Sequence, residues 1–115
     1  MIAVFSDVHG NAHALEAVLN DARSAGARDF YSLGDVVGYG AHPARCVELV
    51  EETASVKVFG NHDAAVLNPA VARQFRAHAR TVSFRRVEYD HASAARDILA
   101  AGLPHRLADR LESGR

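Results

Sequence analysis

Met1-Ile2-Ala3-Val4-Phe5-Ser6-Asp7-Val8-His9-Gly10-Asn11 opens the chain and decides how the rest is read. Ile2–Ser6 is a short, nearly all-apolar run that gives way at once to a carboxylate and an imidazole. Such a run predicts a strand buried on both faces, as in parallel sheets. Asn11 can cap a helix reaching about Ala25, because Leu15, Val18, Leu19 and Ala22 fall at i, i+3, i+4 and i+7. Gly26 supplies the stop signal.

The same pattern returns twice. Phe30–Leu33 and Val56–Phe59 read as strands, and they run into Gly34-Asp35 and Gly60-Asn61-His62-Asp63. Between them Pro43 sits where a helix accepts proline, in its first turn, with Cys46, Val47 and Val50 expected on one side. The order is β-α-β-α-β, an α/β fold with parallel pairing through right-handed crossovers. Asp7 and Asp35 are 28 residues apart, and Asp35 and Asn61 are 26 apart. These steps fit βαβ units of about thirty residues. Parallel strands put their C-terminal ends at one edge, where ligands of open α/β sheets gather.

Composition narrows the classes. A chain of 115 residues predicts one domain, 1–115, and 49% hydrophobic content argues against disorder throughout. A net charge of −1 gives no general attraction to nucleic acid or an anionic membrane. Cys46 is the lone cysteine, so no intrachain disulfide forms, which suits a reducing cytoplasm. The N-terminal apolar run lacks a basic flank and is not read as a secretory signal, and no apolar stretch approaches the ~20 residues of a membrane helix. A soluble cytoplasmic protein is the expectation.

The residues at the three strand ends suit metal chemistry. Asp7 and His9 alternate on an extended backbone and are expected to point the same way. Asp35 has two oxygens and can bridge two cations, and Asn61 offers a neutral carbonyl oxygen. Mixed oxygen and nitrogen ligands favour Mn, Fe, Zn, Co or Ni, with manganese the favoured choice. Two ions about 3.5–4 Å apart would clamp a phosphate and lower the pKa of a bridging water. His62 is placed to protonate the leaving alkoxide, with Asp63 orienting its ring.

Asp7-Val8-His9, Gly34-Asp35 and Gly60-Asn61-His62-Asp63 resemble the first three signature blocks of the calcineurin-like metallophosphoesterase superfamily. Ser6-Asp7-Val8-His9-Gly10-Asn11 with Ala14-Leu15, and Gly34-Asp35-Val36-Val37-Gly38-Tyr39-Gly40 with Pro43, are similar to its small prokaryotic branch of phosphodiesterases and nucleotide-directed phosphatases. The similarity is good from Met1 to about Ala65. It implies a double-sheet sandwich flanked by helices. By that resemblance Asp7, His9 and Asp35 hold a first metal, Asp35 and Asn61 a second, and His62 is the general acid. Metal-bound hydroxide would hydrolyse a phosphomonoester or phosphodiester, with nucleotides among the candidate substrates. The later Gly-His and Gly-His-x-His blocks are missing, so the C-terminal part of the fold is expected to be absent. A truncated gene product, a partial sequence or a broken reading frame would each account for that. The alternative is a catalytically impaired metal- or phosphate-binding remnant, or an interaction module whose interrupted sandwich self-associates into a homo-oligomer.

The remaining features have plainer readings. Pro69–Arg80 and Ala92–Ala101 look helical, with Gly102-Leu103-Pro104 as a break; Ser113-Gly114 reads as a turn toward a further strand. Gly34, Gly38 and Gly40 have the wrong spacing for a dinucleotide loop. His13 is expected on a solvent-exposed helix face, His42 at a helix start, and His78, His91 and His105 at the surface. Tyr39 is expected as a packed loop aromatic. Arg73, Arg76 and Arg80 read as a solvated helix face, or as a basic stripe drawing an anionic ester. Cys46 reads as a small core residue.

Overall fold

Ile2–Phe5, Asp29–Ser32 and Val56–Lys57 form three parallel strands, β1, β2 and β3, side by side in that order. A computed structural model describes residues 1–67 and 87–113 of the chain. The helices are α1 (Ala12–Ser24), α2 (Pro43–Thr53), α3 (Asn61–Leu67), α4 (His91–Ala100) and α5 (His105–Ser113). The α/β class and the βαβαβ opening are therefore present.

Each crossover helix starts and stops for a local reason. The Asn11 side-chain oxygen accepts the Ala14 N–H at 3.1 Å and caps α1. The helix ends where Gly26, at φ +90°, donates its N–H to the Arg23 carbonyl. Pro43 occupies the first turn of α2, where a missing N–H costs nothing. One face of the sheet packs against both helices: Phe5, Leu15, Leu19, Phe30, Cys46, Leu49 and Val50 share a single core. Fully burying a side chain such as Leu19 contributes about 1.5–3 kcal/mol.

Three expectations need correction here. β1 is buried on one face only: Phe5 is inside, while Ile2 and Val4 are exposed. The apolar run therefore alternates in practice, with α1 and α2 covering only the Ala3–Phe5 side. In α2, Leu49 joins Cys46 and Val50 in the core and Val47 is exposed, because i+3 and i+4 from Cys46 share a helix face and i+1 does not. The third strand pairs only through Val56 and Lys57. After Val58 donates to the Ser32 carbonyl at 3.0 Å, the chain leaves the sheet and Phe59 is exposed.

The C-terminal helices form a hairpin with its own small core of Ala95, Ile98 and Ala108, packed against Ala41, Leu103, Leu107 and Leu111. Asp90 caps α4 by accepting from the Ser93 N–H and hydroxyl at 2.9 and 2.7 Å. The break at Gly102 is as expected, with φ +70° there. Of the expected Ser113-Gly114 turn, Ser113 belongs to α5 and Gly114 lies outside the described residues. The hairpin meets the sheet unit through Asn11 Nδ2, which donates to the Tyr89 hydroxyl at 3.3 Å, and through contacts with α1. The expected helix over Pro69–Arg80, its arginine stripe and His78 lie outside the described residues.

Candidate metal centre

Three loops leave the C-terminal ends of the strands and are stitched to one another by backbone hydrogen bonds. Asp7 N–H donates to the Gly34 carbonyl, His9 N–H to Asp35 and Gly10 N–H to Val36, at 3.1, 2.8 and 2.8 Å. Gly40 N–H donates back to the His9 carbonyl at 2.8 Å, and His42 N–H to Gly10 at 3.0 Å. The first and second loops thus run as one ladder beyond the sheet. The third loop presses on the second at two glycines. Gly34 lies at φ +96°, and a Cβ built on it would fall on the Gly60 backbone nitrogen. A Cβ on Gly60 would fall on the Asp35 carboxylate. Only hydrogen at both positions allows the loops to come this close.

Asp7, His9, Asp35 and Tyr39 all adopt left-handed backbone conformations, at φ 57°, 49°, 52° and 45°. Each costs about 1–2 kcal/mol for an L-residue. Such strain gathers where a fold over-determines a functional geometry. It also corrects the extended-chain argument for Asp7 and His9. Their side chains meet because the backbone turns left-handed at both residues, and not through strand alternation.

One donor atom from each of Asp7, His9 and Asp35 lies within 4.8 Å of the other two. The His9 Nδ1 faces the Val37 carbonyl at 3.2 Å. A carbonyl only accepts, so Nδ1 carries the proton and the lone pair is on Nε2, the atom 3.7 Å from Asp7 Oδ1. The ring is thereby set in the tautomer a metal requires. Two carboxylates and an imidazole lone pair in so small a space repel one another, and a divalent cation turns that repulsion into attraction. The donor set of hard oxygens and one nitrogen fits Mn, Fe or Zn.

The third loop is tied to the same point. Asp35 Oδ1 accepts the His62 N–H at 2.9 Å. Asn61 is therefore flanked by Gly60, packed on the Asp35 carboxylate, and by His62, bonded to it; Asn61 itself is exposed. The His62 ring lies 4.7 Å from the His9 ring and 4.8 Å from Tyr39. Asp63 does something other than orient that ring. Its Oδ1 accepts the N–H groups of Val36 and Val37 at 2.9 and 3.1 Å, and its Oδ2 accepts Gly60 N–H at 3.0 Å. The buried carboxylate fastens the second loop to the third.

Beside the carboxylates a cavity of about 220 Å³ is lined by Asp7, His9, Tyr39, Ile98, Leu107 and Arg110. Tyr39 is half exposed, contrary to a fully packed reading. Arg110 was not singled out from the sequence. Its position beside the site depends on the docking of α5, which local patterning does not reveal. His91 and His105 are exposed, as expected.

A family model for calcineurin-like phosphoesterases matches residues 1–107. The chain belongs to the calcineurin-like phosphoesterase family. It is also similar to a solved metallophosphoesterase from Sphaerobacter thermophilus, at 38% identity and a TM-score of 0.54, over 97% of this chain and 40% of that one. Over 67 residues it is 54% identical to the uncharacterized protein MJ0912 of Methanocaldococcus jannaschii, covering 58% of this chain and 28% of that protein. The chain thus spans less than half the length of either relative. Within this family frame, Asp7, His9 and Asp35 are candidate ligands at the expected sheet edge. No helix among the described residues is long and apolar enough to cross a membrane.

Proposed function

We propose that this chain carries the strand-end wall of a metal-dependent centre that hydrolyses a phosphomonoester or phosphodiester, a nucleotide among the candidates. The observation that supports it most is the convergence of Asp7, His9 and Asp35 donor atoms within 4.8 Å on mutually bonded, strained loops. Asp7, His9 and Asp35 would hold one cation, and Asp35 with Asn61 a second, with manganese favoured. Bound there, such cations polarise the phosphoryl oxygen and acidify a water.

The protein's own groups do the rest. The His62 Nδ1 lies against Gly38, and Nε2 would then be the atom that delivers a proton to the leaving oxygen. Arg110 brings positive charge to the cavity that would take the ester, and the half-exposed Tyr39 ring offers a face to a nucleobase. Asp63 is a positioning residue that keeps Asp35 and His62 in register.

The test is turnover of para-nitrophenyl phosphate and its bis-ester by the full chain with Mn²⁺. Asp35→Asn removes nearly all activity. His62→Ala costs about 10²–10⁴-fold on an alkyl phosphate ester and less on the nitrophenyl esters, whose leaving group needs little protonation. Unchanged turnover in both variants refutes the assignment. A second reading, a cation- and phosphate-binding unit without turnover, draws on one observation: among the described residues no fourth His, Cys, Asp or Glu joins Asp7, His9 and Asp35. It predicts Mn²⁺ binding with no hydrolysis.

A further inference from the structure

Apart from the Asp7, His9 and Asp35 donors, His13, His42 and Asp97 bring three donor atoms within 4.8 Å of one another. His13 is on α1, His42 immediately precedes α2, and Asp97 is on α4. Asp97 Oδ2 lies 2.8 Å from His13 Nε2 and 3.4 Å from His42 Nε2. The imidazoles meet edge to face, with centroids 5.5 Å apart. This corrects the expectation for His13, whereas His42 stands at a helix start as expected. The His13 side chain is only 32% exposed and is bonded to Asp97, and His42 starts its helix without any side-chain cap bond.

We propose that His13, His42 and Asp97 form a second, separate binding site for a transition-metal ion of the zinc class, which clamps α4 to α1 and to the loop before α2. The chemistry of the set carries it. Two imidazole nitrogens and a carboxylate oxygen are borderline donors that suit Zn²⁺ or Co²⁺ better than Mg²⁺ or Ca²⁺. Ligands about 2.0–2.1 Å from a tetrahedral ion lie about 3.3 Å apart. The observed 2.8 and 3.4 Å from the Asp97 oxygen bracket that spacing, and the two imidazole donors lie within 4.8 Å of each other, so loading draws the rings together around the ion. Both Nε2 atoms face one carboxylate oxygen, a place where protons on the rings and a metal ion compete. Each side chain is about a third exposed, which leaves the remaining coordination position to water.

The clamp has a structural consequence. His42 N–H donates to the Gly10 carbonyl, and Gly40 N–H to the His9 carbonyl. Fixing His42 therefore fixes the loop ladder that carries His9, and the same ion holds the α4–α5 hairpin that brings Arg110 to the cavity.

The test titrates Co²⁺ into the full chain carrying Asp7→Asn and Asp35→Asn, which empties the strand-end centre. One equivalent should bind with the visible absorption of four-coordinate cobalt, and Zn²⁺ should displace it and raise the melting temperature. His42→Gln, His13→Gln or Asp97→Asn in that background should each weaken binding at least tenfold and abolish the thermal shift. Absence of the visible bands, or equal affinity in His42→Gln and its parent, overturns the proposal. If circular dichroism shows the double variant unfolded, the unsubstituted chain is compared with His42→Gln alone. One equivalent fewer in His42→Gln supports the site, and equal stoichiometry overturns it. None of these readouts requires hydrolysis.

Discussion

Asp63 offers the sharpest stability test, because one buried carboxylate serves three backbone donors on two loops. Asp63→Ala leaves the N–H groups of Val36, Val37 and Gly60 without that partner. An unsatisfied buried donor costs about 1–3 kcal/mol. Val36 is buried and suffers most of that, whereas Val37 and Gly60 are partly reached by water and suffer less. The sum is about 3–5 kcal/mol, a large share of the roughly 5–15 kcal/mol that holds an ordinary domain together. Asp63→Asn keeps an oxygen for Val36 and Val37 but sets an amide N–H against Gly60 N–H, at about 1–2 kcal/mol. Urea unfolding should rank the proteins wild type, Asn, Ala, with hydrogen exchange accelerated at residues 36, 37 and 60. A loss below about 1 kcal/mol for Asp63→Ala, or equal losses for Asn and Ala, would refute the reasoning.

The other predictions concern a close approach, a thiol and a cap. Gly34→Ala must push the second and third loops apart as well as occupy φ +96°, so it should lower stability by about 3 kcal/mol or more and weaken Mn²⁺ binding; calorimetry with unchanged melting and affinity would contradict this. Cys46 is fully enclosed and burial pushes its thiol up to about 11, so at about pH 8 only about one in a thousand is ionised. A disulfide reagent should label it slowly in the native chain and at once in denaturant, and rapid native labelling would be inconsistent. The Ser93 hydroxyl and then its N–H hold the Asp90 carboxyl below its usual 3.8. Because the folded value is the lower one, the stabilisation is complete above 3.8 and fades as pH falls through the folded value. Melting temperature followed from about pH 5 to about pH 2 should fall less steeply in Asp90→Ala than in wild type; identical slopes would contradict the assignment.

Much of this architecture was legible because local and long-range signals agree. The Asn11 cap, Pro43 and Gly26 bound helices where the apolar periodicity also starts and stops, and repeated steps of near thirty residues align three strand ends. What sequence did not show was set by tertiary contact. Which face of β1 is covered depends on where α1 and α2 land. Asp63 looked like a ring partner for His62 because it is adjacent, yet its oxygens reach backbone donors 26 and 27 residues away. His13, His42 and Asp97 are scattered along the chain, and Asp97 Oδ2 lies 84 residues from the His13 ring it meets. No periodicity predicts such a meeting, since it depends on how the α4–α5 hairpin docks.

Diffraction from crystals of the full chain grown with Mn²⁺ tests the central assignment most directly. The anomalous map should show a peak bounded by a carboxylate oxygen of Asp7, Nε2 of His9 and a carboxylate oxygen of Asp35, each at about 2.0–2.3 Å. The Nδ1 of His9 should still face the Val37 carbonyl. A saturated crystal with no peak there, or with manganese held elsewhere while these three side chains point apart, would contradict the claim that the strand-end loops are built to hold a cation.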